Sequence, residues 1–499
     1  MRELNIYVDQ SLVGTLGEAD NIWVLDYDPA WAARVDSFDL SPALPRTTLR
    51  HLDGATLRPV QWYFDNLLPE EELRRVAAKD AGLKDQDDAF ALLQYLGAES
   101  AGSLTLLPPG VPLPQDRALQ PLGYADLSRR IQQLPKSSLS RQAPKRMSVA
   151  GAQHKLLAVM KGTDLYEPVG ATPSTHILKP DHPNAQTYPA SAFLEQLTMR
   201  MADAAGLSVP RVGLLEVPEP VYVIERFDRR MDAPLMRPET GAQAPAVQRL
   251  HIIDACQLLN KSRLFKHSGA TVEALREAIE RTGDTLALPQ RVFRWLVFNL
   301  LVGNDDCHLK NLSFFVQANT ITLSPHYDLL ATSVYHTGSF AGADGRWPDV
   351  EMTIPLAGPV TRFGGVTPEA VLAAATALGV PPTVALRVAR EVVTRTYRDF
   401  DRIYAEHYPE EPGLLTTQQP LPGEAEAVDV VDAQPEPAVQ GDVSPAARQR
   451  GLHRRILRVL RYIILPEMGR RISAPARATL FETPSREASC QVLRPRRPA

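Results

Sequence analysis

The chain has 499 residues, 44% of them hydrophobic, with 54 basic residues set against 58 acidic ones. That is globular composition, long enough for roughly two to four domains, and a net charge of −4 leaves any nucleic-acid binding to a local patch. Three scattered cysteines, Cys256, Cys307 and Cys490, form no CxxC pair, which argues against a disulfide scaffold or a structural zinc site and suits a reducing compartment.

The opening MRELNIYVDQSLVG alternates as a strand does and lacks the basic-then-apolar layout of a signal peptide. No segment approaches the roughly 20 apolar residues of a membrane-spanning helix, so the expectation is a cytoplasmic protein with no membrane span. WYFDNLLPEEELRRVAAKDAG reads as one helix with an acidic first turn and a closing glycine, and DDAFALLQYLGAE as another. Residues 108–146, rich in Pro, Ser, Gln and basic side chains, read as an extended linker. From Ser148 a strand grows out of SVAGAQHKLLAVM, and THILKPD ends a second. PASAFLEQLTMRMADAAGL is helical, with Phe193, Leu197, Met201 and Ala205 on one face, and VYVIERF is a further strand. Residues 249 to 407 are mainly helical.

The densest polar stretch, GNDDCHLKN at 303–311, lies between the apolar runs RVFRWLVFNLLV and LSFFV. Pro289 starts a buried helix that should end near Gly303. After Asn311, LSFFV and ITLSP form a hairpin turning at Ala318-Asn319, and Asp328 follows in HYDLLAT. Buried helix, polar loop, hairpin, acid is the order in which kinase-type phosphotransferases place their chemistry. Asp306 and Asn311 stand five residues apart, the separation of catalytic Asp and metal-binding Asn in a kinase loop, and Asp328 takes the place of the second magnesium-holding acid. ATP needs hard oxygen ligands to hold its magnesium, and one further carboxylate must orient the incoming hydroxyl. Lys179, at a strand end, is the candidate cation for the phosphates, and Glu195 on the next helix is its candidate partner. VIERF would meet the adenine. A Cys307-His308 nucleophile is disfavoured, because adjacent side chains in an extended loop point apart.

With these residues assembled, the chain resembles the HipA family of bacterial toxin serine/threonine kinases, over roughly residues 1 to 408. The motifs that carry the likeness are SVAGAQHKL, THILKP, VIERFDR, GNDDCHLKN and the HYDLLAT acid, in family order. The resemblance implies an α+β, protein-kinase-like fold of two lobes, related to phosphoinositide kinases. It implies Asp306 as catalytic residue and Mg2+ on Asn311 and Asp328. ATP would lie against Val149, Ala150, Gly151, Ala152, Gln153, Lys179, Glu225, Arg226, Phe227, His308, Lys310, Asn311 and Asp328. Ser148 would be an autophosphorylation site, with Lys145 and Arg146 near enough in sequence to hold its phosphate. Ser137, Ser138 and Ser140 are alternative acceptors by residue type. Known members phosphorylate aminoacyl-tRNA synthetases, glutamyl-tRNA synthetase among them, and pair with a HipB-like helix-turn-helix antitoxin that carries the complex to operator DNA. Two departures stand out: the phosphate loop has one glycine, Gly151, and Leu194 precedes Glu195 where the family often has Asn.

The implied domains are an N-terminal unit at 1–107, a linker at 108–146, an N-lobe at 147–228 and a helical C-lobe at 229–410. An acidic, Pro-rich disordered linker at 411–447 and a basic tail at 448–499 follow. In the tail RQRGLHRRILRVLRYIIL is an amphipathic helix, with Leu452, Ile456, Val459 and Ile463 on one face and Arg450, Arg454, Arg458 and Arg461 on the other. Docking on the kinase body, gripping DNA phosphates and lying on a membrane surface are its open roles. The body is expected to fold without it. Two rival functions stay open: a non-catalytic operator co-repressor, against which the Lys179, Asp306, Asn311, Asp328 set argues, and a small-molecule or lipid kinase.

Overall fold

Alternation fixes the first sheet. In β1 (Arg2–Val8) Leu4 and Ile6 are fully buried while their neighbours are not, so one face of the strand is committed to a core. With β2 (Ser11–Ala19), β3 (Ile22–Tyr27), β4 (Arg50–Leu52) and β5 (Leu104–Leu107) it forms an antiparallel sheet of order β4-β3-β2-β1-β5. Helices Pro59–Asp65 and Ala89–Leu96 cover that face, and Trp23 meets Phe90 edge-on with ring centroids 5.3 Å apart. The computed structural model describes residues 1–148, 150–231, 247–356, 358, 360–408 and 444–473. Among them no single helix is long and apolar enough to cross a membrane.

The single helix expected at WYFDNLLPEEELRRVAAKDAG is two, Pro59–Asp65 and Glu71–Asp80. Pro69 has no amide hydrogen to continue a helical ladder and forces its predecessor out of the helical region. The break carries Asn66, Leu67 and Glu70 to the wall of the central cleft.

A second sheet contains β6 (Arg117–Pro121), β7 (Leu156–Lys161), β8 (Asp164–Gly170), β9 (His176–Pro180), β10 (Val212–Glu216) and β11 (Pro220–Glu225), in the order β10-β11-β9-β7-β8-β6. The expected linker at 108–146 is therefore corrected. Its β6 pairs with β8 as an edge strand, and helix Tyr124–Ile131 packs beside it. Leu122, Leu127 and Leu139 join Leu156 and Leu178 in a small separate core, and Arg130 forks onto the buried Glu167 at 2.7 and 3.0 Å. Widely spaced leucines within a polar, Pro-rich stretch hid this from a periodicity reading. Behind the sheet, helix Ser191–Ala204 buries Phe193, Leu197 and Met201 as expected.

In the helical lobe, Leu288–Val302 is buried almost all round and has Pro289 in its first turn. Gly303 ends it at φ +66°, where a Cβ would come within 2.9 Å of the Ser333 side chain. The hairpin follows as β13 (Ser313–Gln317) and β14 (Thr320–Leu323), and β12 (Ile252–Asp254) joins it. The long helix Pro382–His407 packs on Leu288–Val302.

The basic segment belongs to this lobe. Helix Pro445–Val459 runs through one π-helical turn, Leu460–Ile464, into Leu465–Ser473, and the latter packs on both Leu288–Val302 and Pro382–His407. Ile456, Leu457, Leu460, Ile464, Leu465, Met468 and Ile472 enter the main core. The tail thus docks on the body, one of its three open roles, and its helix starts before residue 448. Its buried face is also turned from the one expected. Leu452 and Ile463 are only partly covered, and Arg461, placed on the solvent face by the pattern, is buried with Asp401 at 3.1 Å. The π turn inserts one extra residue and rotates everything after it. Most of the expected acidic linker, 411–443, lies outside the described residues.

Candidate active site

The polar loop between the buried helix and the hairpin is held mainly by its own side chains. Asn304, almost fully buried, donates to Asn299 Oδ1 at 2.7 Å and accepts from the Asp306 amide at 3.1 Å. Thr332 Oγ1 takes the Asp305 amide at 2.9 Å, and Asp305 reaches His336 Nε2 at 2.9 Å. Asn311 donates to the Asp306 carbonyl at 2.9 Å, so the last residue of the motif braces the backbone of its acid. What these bonds leave free is the Asp306 carboxyl, whose side chain is 60% exposed to the cleft. The enclosing cleft, and after it the Asp328 carboxylate, push this carboxyl above the usual range, while the solvent it meets moderates the first effect. His308 stands edge-on to His267, ring centroids 4.8 Å apart, and burial pushes it down to about 3, leaving a neutral ring.

Across the cleft Lys179, on β9, lies between two carboxylates: Glu195 Oε1 at 2.7 Å and Asp328 Oδ1 at 2.6 Å. Two acids compete for one ammonium. Burial opposes ionisation at both, but Asp328, its side chain 35% exposed, is held down to about 2 by Lys179 and Lys155. Glu195, with no solvent, is pushed up to about 7. Asp328 adopts φ +57°, a left-handed conformation rare outside glycine that clusters at functional sites.

The phosphate-loop residues Ala150, Gly151, Ala152 and Gln153 line the same cavity of about 620 Å³; Val149 lies outside the described residues. Gly151 has φ +116°, and a Cβ there would sit 2.7 Å from Lys155 Nζ. Lys155 was passed over in the sequence. Its ammonium donates to the Ala150 carbonyl at 2.6 Å, and burial, then Lys179, push it down to about 8. Its position two residues after Gln153 in AGAQHK was the available signal. Glu225 and Phe227 also line the cavity, the Phe227 ring 5.4 Å from Tyr327.

Other expected residues reach the wall with their side chains already committed. The Arg226 guanidinium binds Asp228 at 2.9 and 2.7 Å, Glu99 at 3.2 Å and Ser174 at 2.9 Å. The Lys310 ammonium donates to the Asn66 carbonyl and side chain at 2.8 and 2.9 Å, and pairs with Asp254 at 3.1 Å and Glu70 at 3.2 Å. Both residues line the cavity, but their side chains act as braces, and the Lys310 ammonium has its three donors matched by protein acceptors. Ser148 is buried, its hydroxyl donating to the Leu67 carbonyl at 2.8 Å. Lys145 and Arg146 are also occupied, Lys145 by Glu99 at 2.8 Å and Arg146 by the Ser140 carbonyl at 2.6 Å.

Hard oxygen donors on Asn311 and Asp328, two lysines and a glycine turn around one cavity fit a magnesium nucleotide. Family comparison agrees with that chemistry. Residues 4–107 match the HipA N-terminal domain and 147–400 the HipA-like C-terminal domain. The Sinorhizobium fredii protein Y4mE, provisionally named a kinase, is 33% identical over 67% of this chain and 78% of its own. The Shewanella oneidensis serine/threonine-protein kinase toxin HipA is 29% identical over 66% of this chain and 76% of its own. A solved complex of Shewanella oneidensis HipA with HipB and operator DNA shares the fold, at TM-score 0.67 and 22% identity, covering 94% of this chain and 97% of the solved one.

Proposed function

The chain belongs to the HipA family, and from that premise we propose that it transfers the γ-phosphoryl group of ATP to a serine of a protein substrate. The observation that carries the reading is the Lys179–Glu195–Asp328 cluster, which shares one cavity with Asp306 and Asn311. Mg-ATP supplies the phosphoryl group and the counter-charge for it. Lys179 and Lys155 bind phosphate oxygens, Asn311 and Asp328 offer oxygen ligands to the metal, and Phe227 packs against the base. Asp306 orients the substrate hydroxyl and accepts its proton.

We propose an aminoacyl-tRNA synthetase, glutamyl-tRNA synthetase first, as the substrate, so that phosphorylation stops translation and growth. The family supports this choice. The solved relative is complexed with HipB and operator DNA, and a helix-turn-helix antitoxin with its operator is proposed for this chain in the same way. Phosphorylation of Ser148 is the proposed self-inhibition. Its hydroxyl must first leave the Leu67 carbonyl, and a phosphate cannot return to that buried place without losing its solvation. The test incubates the protein with labelled Mg-ATP and purified synthetases, then maps phosphopeptides on both. Label on a synthetase serine with wild type and none with Asp306→Asn supports the reading. Equal label with both overturns it.

A further inference from the structure

His267 has no part in the reaction described above, yet it stands beside the residue that does. It follows the short helical turn Arg263–Phe265, and the Leu309 amide donates to the Lys266 carbonyl at 3.2 Å, stitching its segment to the polar loop. His267 Nε2 lies 3.9 Å from Asp306 Oδ1, and ligand atoms of His267, Asp306 and His308 all fall within 4.8 Å of one another. His308 is 8% exposed, and its buried Nδ1 has no hydrogen-bond partner among the described residues.

Two imidazoles and one carboxylate are the donor set of three-ligand zinc sites that keep a fourth position open. The nearest cation, Lys266, opposes a metal least where it is already neutralised, and it pairs with Glu70 at 2.6 Å and Glu71 at 3.0 Å. Imidazole nitrogen also separates this site from the nucleotide's metal: Asn311 and Asp328 offer hard oxygens that suit magnesium, whereas nitrogen-rich sets select zinc, cobalt, nickel or copper. Ligands about 2.0–2.1 Å from zinc stand closer together than these three do, and His267, 47% exposed, is the side chain able to close the gap.

We propose that His267, Asp306 and His308 bind a transition-metal cation, zinc foremost, and that this binding inhibits phosphoryl transfer. A cation there holds the Asp306 oxygens that must meet the substrate hydroxyl, and it leaves Lys179, Asn311 and Asp328 open to nucleotide. The metal site stands on geometry alone; only its inhibitory effect rests on the kinase reading.

The test titrates Co2+ into full-length, chelator-stripped protein without nucleotide. An absorption band of nitrogen-ligated cobalt is expected, displaced by zinc, with affinity reduced at least about tenfold in His267→Gln. With free zinc held constant by a metal buffer, zinc is expected to stop wild-type self-phosphorylation without relief by added Mg-ATP. His267→Gln should keep its metal-free activity within about twofold and need at least about ten times more zinc. Equal cobalt affinity in the two proteins, or inhibition relieved by excess Mg-ATP, overturns the site. Cobalt binding through His267 in a protein that transfers no phosphate would keep the site and overturn the kinase reading instead.

Discussion

Lys310 and Lys179 are both buried and each is flanked by two carboxylates, but the number of their partners differs. Lys310 has four acceptors, on Asn66, Glu70 and Asp254, for its three donors, and they tie the N-terminal unit to the strand Ile252–Asp254 of the helical lobe. Lys179 has Glu195 and Asp328, and Asp328 is partly open to the cleft. Burial and charge pairing are common to both. An exchangeable partner belongs to one alone, and that makes a buried cation available to a ligand.

The largest expected effects fall on transfer. Asp306→Asn is expected to lower it by about 10²–10⁴ with Mg-ATP affinity retained, because the amide cannot accept the hydroxyl proton. Lys179→Met should lower transfer by about 10²–10³ through lost charge stabilisation, with a modest cost in stability because Glu195 already tends to take up a proton. A folded Lys179→Met protein with near-normal single-turnover rates would break the contrast between the lysines.

Lys310→Met should do the reverse. Glu70 is held down to about 2, against the penalty of burial, by Lys310 and Lys266, so losing Lys310 leaves Lys266 alone to hold that charge and takes from the buried Asp254 its lysine partner. Urea unfolding should show a loss of about 3–5 kcal/mol, while rates per folded molecule stay close to wild type. Unchanged stability would mean that Lys310 has spare donors after all.

Next in size is burial without pairing. Leu460→Ala, at the start of the π-helical turn, should cost about 2–5 kcal/mol with Mg-ATP affinity unchanged in calorimetry. A loss below about 0.5 kcal/mol, the usual range for surface sites, would return 445–473 to the status of a tail.

These contrasts also explain what the sequence could reveal. The helix into Gly303, the hairpin after Asn311 and the acid beyond it are local in sequence, and each boundary is marked by Pro289, Gly303 or a turn. Lys179 and Glu195 were legible as a pair because a strand end and the next helix face each other over a short connection. Lys310 was not legible, since its partners Asn66, Glu70 and Asp254 come from distant segments. The same holds for β6, whose partner β8 lies some forty residues on in the chain, and for Arg461, which a π turn rotated inward. Local pattern reports local structure, and long-range satisfaction of charge is invisible to it.

The last expected effect, at most about 3 kcal/mol for either group, separates the two lysine clusters by the sign of their pH dependence. Glu195 is raised from 4.5 to about 7, chiefly by burial and despite Lys179. Between these values the native state binds more protons than the unfolded chain, so this group makes stability fall as pH rises from about 4.5 to 7. Glu70 is lowered from 4.5 to about 2, so its contribution is complete above 4.5 and is lost as pH falls toward 2. Urea unfolding from pH 2.5 to pH 8 should therefore show an acid limb below pH 4.5 that Lys310→Met weakens, and a decline toward neutrality that Glu195→Gln removes. If Glu195→Gln leaves the neutral slope untouched, Glu195 stays ionised beside Lys179. The Lys179 cluster would then be charge-saturated like that of Lys310, and the distinction between them would have to come from solvent access to Asp328 alone.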